Sequence, residues 1–231
     1  MPDPLVLIPG LLCTRALWEP QIAALQDQVR IQVADHTRQD SMAGLASDIL
    51  AQAPNRFALA GLSMGGYIAL EIMRQAPSRV TRLALMDTNA RADTPEGRKN
   101  RQGFIDIARR GKFLGVTPQL IPKLIHPSRL DDHDLKLTIV QMARETGVDA
   151  FVRQETAIMN RIDSRGSLGA ITCPTLVLCG RQDMLSTLEM HQEMVDLIPN
   201  ACLEVVEDCG HLSTLERPEV VTAAMKAWLQ A

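Results

Sequence analysis

Over the first third of the chain, short apolar runs alternate with longer amphipathic stretches. Leu5-Val6-Leu7-Ile8 is continuously apolar and closed by Pro9-Gly10, the pattern of a strand buried on both faces. Trp18 to Leu25 has helical spacing, and Arg30 to Asp35 reads as a second strand. Ser41 is placed to cap a helix that runs to Ala53, where Pro54 breaks the pattern. Phe57-Ala58-Leu59-Ala60 predicts a third strand ending in glycine. Tyr67 to Gln75 predicts a helix and Leu83 to Met86 a fourth strand. Strands alternating with helices of this length imply a parallel sheet with helices on both faces.

The rhythm then stops. From about Asn89 to Gly169 no strand pattern is present, only stretches for about four helices, separated at Gly111, at Pro118 to Pro127 and at Gly147. The alternation resumes with Thr175 to Gly180, a helix from Thr187 to Leu197, a last strand from Cys202 to Val206 and a closing helix from Pro218 to Leu229. The expected architecture is therefore α/β, a mostly parallel sheet of about six strands. Residues 1–89 and 169–231 form its core, and residues 90–168 form a helical cap inserted into it.

Composition narrows the function. With 231 residues, 46% of them hydrophobic, the chain can bury one full core. A net charge of -3 gives no basic field for nucleic acid, and no apolar run approaches the roughly 20 residues of a membrane span. The basic stretch from Gly97 to Arg110 reads as a solvated helix face. The start, Met1-Pro2-Asp3-Pro4, lacks the basic n-region of a signal peptide. The five cysteines are odd in number and match neither a zinc ribbon nor a Cys-x-x-Cys pair, so reduced thiols in a cytoplasmic protein are expected. His126 with Asp131, Asp132, His133 and Asp134 has no metal-ligand spacing and reads as a solvated helix start; no metal or organic cofactor is expected.

Candidate chemistry gathers where strands end. Gly61-Leu62-Ser63-Met64-Gly65-Gly66 lies between a strand and a helix, and glycines two residues either side of Ser63 clear space around an exposed, strained serine. The helix N-terminus that follows favours developing negative charge. A serine hydroxyl needs a base. Of His36, His126, His133, His191 and His211, only His211 follows the final strand, on the edge that also carries Ser63. His36 follows a strand too, but its polar loop predicts a surface position. The base needs an orienting acid: Asp183, just past Gly180, is favoured, and Asp87, at the end of the fourth strand, is the rival. Backbone N–H groups of Met64 and Leu11, with Leu12 as the fallback, are the expected oxyanion donors.

The Leu62-Ser63-Met64-Gly65-Gly66 segment, Cys173-Pro174-Thr175 leading to Gly180-Arg181-Gln182-Asp183, and Cys209-Gly210-His211-Leu212 together resemble the α/β-hydrolase superfamily, in its capped esterase-like branch. The resemblance implies Ser63, Asp183 and His211 as a triad and the insertion as a lid. The chain departs from many relatives in carrying Pro9-Gly10 where they have His-Gly. The implied function is a serine hydrolase that cleaves a small to medium ester or lactone, with Leu12, Leu124, Met142 and Met159 in its substrate pocket. A carbon–carbon bond hydrolase, a perhydrolase or an acyltransferase on the same fold is the alternative. A binding protein that has lost turnover is a further one. The expected partner is a small ester-like molecule, with no nucleic acid. The oligomeric state is open.

Overall fold

The computed structural model describes residues 3–231. The chain runs β1 (Leu5–Ile8), α1 (Glu19–Leu25), β2 (Ile31–Val33), α2 (Met42–Gln52), β3 (Phe57–Leu62), α3 (Met64–Gln75) and β4 (Val80–Met86). A helical stretch follows: α4 (Pro95–Ile107), α5 (Ile121–Leu124), α6 (His133–Met159) and α7 (Arg165–Leu168). β5 (Thr175–Gly180), α8 (Leu188–Leu197), β6 (Ala201–Val206), α9 (Ser213–Glu216) and α10 (Pro218–Gln230) complete it. The strands form one sheet in the order β2-β1-β3-β4-β5-β6, and every neighbouring pair is parallel.

The period-2 geometry of each strand sorts its apolar residues to two faces. Leu5, Leu7, Ala60, Met86, Leu178 and Val206 pack with Ile22 and Leu25 of α1 and Val221 and Met225 of α10. Val6, Ile8, Leu59, Leu85 and Val177 face the other way, against Leu45 and Ile49 of α2, Ile68 and Ile72 of α3 and Met194 of α8. Because both of their faces are covered, the inner strands β1, β3 and β5 are buried along their whole length and read as near-continuous apolar runs, whereas the edge strands β2 and β6 are only half-buried and carry Gln32 and Glu204.

Local differences have local causes. α3 begins at Met64 rather than Tyr67, because the turn at Ser63 leads directly into helix even through Gly65 and Gly66. A 3-10 turn over Arg15–Trp18 precedes α1, and β4 starts three residues earlier than its apolar run. The Ser41 cap is as expected, with its Oγ accepting from the Gly44 N–H at 3.2 Å. In the helical stretch, α6 breaks at Gly147, whose φ of 75° interrupts the helix. Asp132 caps its start, accepting from the Leu135 N–H at 3.0 Å. Arg101 of α4 joins the second half of α6 through Glu155 at 2.6 Å. It also pairs with Asp93 at 2.9 Å, which meets Arg161 at 3.2 Å.

Candidate active site

From β1 the chain passes outward to the edge strand β2 and then back to β3 on the other side of β1. The loops after β1 and β3 therefore diverge at a switch point, where open parallel sheets bind ligands at their carboxyl ends. The register pairs Ile8 with Gly61, which sets the loop after β1 beside the turn after β3.

Ser63 occupies that turn with φ 55° and ψ -115°, a backbone region that side chains other than glycine rarely enter. Its neighbours must be glycine: a Cβ on Gly61 would lie 2.2 Å from the Gly65 carbonyl oxygen, and one on Gly65 would lie 2.1 Å from that of Ile8. Behind the turn, the Thr88 hydroxyl donates to the Ser63 carbonyl at 2.8 Å, and the Thr88 N–H donates to Nε2 of His191 at 3.0 Å. His191 is thus a buried support whose Nδ1–H donates to the Thr187 carbonyl at 2.9 Å.

His211, on the loop between β6 and α9, places Nε2 2.9 Å from the Ser63 Oγ and Nδ1 2.8 Å from Asp183 Oδ2. Burial would depress the His211 pKa, but the neighbouring charge of Asp183 and its hydrogen bond outweigh this and raise it. Burial opposes ionisation of Asp183; the His211 charge and hydrogen bonds from the ring and from the Ser186 and Leu185 N–H groups hold its pKa below the usual range. Asp87, the rival acid, is otherwise engaged. Its carboxyl accepts from the Gly180 N–H at 3.1 Å and from the Ser213 N–H and Oγ at 3.2 and 2.5 Å.

Five of the residues singled out in the sequence therefore converge: Ser63, Asp183, His211, Leu11 and Met64. Among the described residues, the N–H groups of Leu11 and Met64 make no protein hydrogen bond. The Leu12 N–H does, donating to Gln154 Oε1 at 3.2 Å.

A family model for the alpha/beta hydrolase fold matches residues 3–218. The chain belongs to the α/β-hydrolase family. Among solved structures, this α/β hydrolase is similar to a thermophilic esterase from Thermogutta terrifontis, with 32% identity and a TM-score of 0.90, covering 99% of this chain and 89% of that one. Among curated proteins, it is 30% identical to a Serratia proteamaculans protein named as a candidate carbamate hydrolase, over 97% of this chain and 90% of the relative. It is 24% identical to the pimeloyl-[acyl-carrier protein] methyl ester esterase of Aliivibrio salmonicida, over 98% and 92% of the two chains.

The four residues expected to line a substrate pocket do not share one environment in this α/β hydrolase. The Leu124 carbonyl accepts from the His211 N–H at 3.0 Å, and Leu124 and Met142 pack in the cluster that contains Leu212. Leu12 packs instead with Ala108, Ala143 and Phe151, while Met159, on the last turn of α6, is half-buried and outside these clusters. Two clefts, of about 520 and 410 Å³, open on the helical stretch around Ala108, Gly111 and Val148; Ser63 lines neither. No helix among the described residues is long and apolar enough to cross a membrane.

Two residues that sequence reasoning passed over, Glu216 and Gln154, and one that it misplaced, His36, complete the surroundings. Glu216 accepts from the N–H groups of His126, Gly210 and Leu212 at 2.6, 2.9 and 3.3 Å, fixing the loop that carries His211. His36, expected at the surface, is 2% exposed, with Nε2 2.9 Å from the Gly10 carbonyl oxygen. Gln154 is fully buried and approaches His36 from α6. No local signal marks Gln154 or the burial of His36, because each depends on the other's distant segment.

Proposed function

We propose that this α/β hydrolase cleaves small to medium carboxylic esters or lactones through an acyl-enzyme on Ser63. The observation that carries this reading is the buried hydrogen-bonded chain from Ser63 Oγ through His211 to Asp183, at 2.9 and 2.8 Å. Ser63 Oγ attacks the carbonyl carbon as its proton passes to His211 Nε2, and Asp183 stabilises the imidazolium. The tetrahedral oxyanion rests on the N–H groups of Leu11 and Met64. As it collapses, the C–O bond breaks and His211 protonates the departing alcohol. Water then attacks the acyl carbon while His211 takes its proton. The second collapse releases the acid and returns the proton to Ser63.

Residues 90–168 are read as a cap over this site. Leu124 and Met142 contribute to its apolar lining, and Leu12 and Met159 lie at its margins. The five cysteines are free, which supports a reducing compartment, and we place the protein in the cytoplasm.

The test is hydrolysis of p-nitrophenyl acetate, butyrate and octanoate by the wild type and Ser63→Ala. The variant is expected to lose activity by several orders of magnitude while keeping its melting temperature within a few degrees. A folded Ser63→Ala variant with wild-type turnover would remove Ser63 from the reaction.

A further inference from the structure

The oxyanion donor assigned to Leu11 belongs to the peptide unit that joins Gly10 to Leu11. In a trans peptide the C=O and N–H point in opposite directions, so whatever holds one aims the other. Among the described residues no peptide bond is cis. The Gly10 carbonyl is held by two donors, the Cys13 N–H at 3.1 Å and the His36 ring, whose Nε2–H donates at 2.9 Å. Gly10 itself adjoins the nucleophile: a Cβ on it would lie 3.4 Å from the Ser63 Cβ.

The next residue is restrained as well. Leu12 adopts φ 58°, and its N–H is drawn to Gln154 Oε1 at 3.2 Å. The Gln154 amide Nε2 donates in turn to the His36 carbonyl at 3.4 Å. One buried side chain from α6 thus bridges the loops after β1 and β2. The groups on either side of the Leu11 N–H are engaged, and that N–H itself makes no hydrogen bond to the described residues.

We propose that His36 is a positioning residue for the oxyanion hole, aiming the Leu11 N–H by holding the opposite side of its peptide, with Gln154 locking the same loop from α6. This rests on the acyl-enzyme reading above. Burial lowers the His36 pKa and keeps the ring neutral, which leaves one nitrogen as the donor that the Gly10 carbonyl requires. A misaimed donor weakens the interaction made in the transition state more than the binding of substrate.

The experiment compares wild type, Ser63→Ala, His36→Phe, His36→Gln and Gln154→Met. Each is measured for kcat and KM on p-nitrophenyl butyrate and for inhibition by phenylboronic acid. That probe accepts Ser63 Oγ at boron, with the hydroxyl proton passing to His211, and mimics the tetrahedral adduct. His36→Phe is expected to lower kcat by about 10- to 100-fold with KM within about twofold, and to weaken the boronate by the same factor. His36→Gln, which keeps a donor, should recover most of the loss. Gln154→Met should fall in the same direction by about tenfold.

Wild-type kcat and boronate affinity in a folded His36→Phe variant would overturn the proposal. So would a loss of kcat without matching loss of boronate affinity. If His36→Phe does not fold, Gln154→Met decides by the same two readouts. An active Ser63→Ala would remove the acyl-enzyme reading itself, whereas an inactive Ser63→Ala beside an unimpaired His36→Phe would remove only the role of His36.

Discussion

Three buried carboxyls surround His211, and each is held in a different way. Asp183 meets the ring, Glu216 collects backbone N–H groups of the loop, and Asp87 bridges Gly180 and Ser213. In the acyl-enzyme mechanism proposed above His211 must be neutral to accept the Ser63 proton, so activity should rise with pH through a pKa above the usual histidine value of 6.5. Asp183→Asn removes the charge that raises it. The acidic limb of the kcat/KM profile should then move to lower pH, and kcat should fall by about 10³- to 10⁴-fold in steady-state assays. Asp87 behaves oppositely to Asp183, because burial and then the Asp183 charge raise its pKa from 3.8 to about 8. Its protonated form is favoured by folding, so its contribution to stability is full below pH 3.8 and is lost as pH rises through 8. The melting temperature of Asp87→Asn, measured from pH 5 to 9, should gain on the wild type as the pH increases.

At the scale of elements, the loops that follow strands carry the strain. Among the described residues, four other than glycine have positive φ: Leu12, Ser63, Asp87 and Asp208, following β1, β3, β4 and β6. Each costs on the order of 1–3 kcal/mol, which the packing of the sheet offsets. The β3–α3 turn has no room for further strain. Gly65→Ala would drive a Cβ to 2.1 Å from the Ile8 carbonyl oxygen, and the urea midpoint should drop by an amount equivalent to about 3 kcal/mol. The inner strands, and the meeting of Ser63, Asp183 and His211 on one edge of the sheet, were legible because they obey local rules: apolar runs buried on both faces, glycines around a serine, and an acid and a base just beyond strand ends. The start of α3 was not, because Met64-Gly65-Gly66 has poor helix propensity and becomes helical only through the turn before it. His36 was misplaced for a related reason. It stands among Asp35, Thr37 and Arg38, a polar setting, and is buried only because Gln154 arrives from 118 residues away.

Across the whole molecule, charge is unevenly divided. Residues 90–168 carry 14 Lys and Arg against 10 Asp and Glu, while the remainder carries 10 against 17. Arg109, Arg110, Lys112 and Arg144 are exposed around the clefts of the helical stretch. An anionic ester should be drawn to this side of the molecule, and salt should screen the attraction. kcat/KM for p-nitrophenyl hemisuccinate is expected to fall several-fold between about 10 and 500 mM NaCl, with the neutral butyrate ester changing less than about twofold. A salt-independent hemisuccinate rate would mean that this field does not guide substrate. The helical stretch leaves the sheet at β4 and returns at β5, which are direct neighbours. Its two ends are tied together by the Ser164 N–H on the Ala90 carbonyl at 2.7 Å and by the Arg161 side chain on the Arg91 carbonyl at 2.9 Å. A chain that departs and returns through one such doorway can change length at small cost, since each doubling of a loop adds only about 0.6 kcal/mol of closure entropy. If this stretch is the cap proposed above, descent can rewrite what the enzyme accepts without disturbing the register of a single strand, so that selectivity and scaffold are inherited as separable traits.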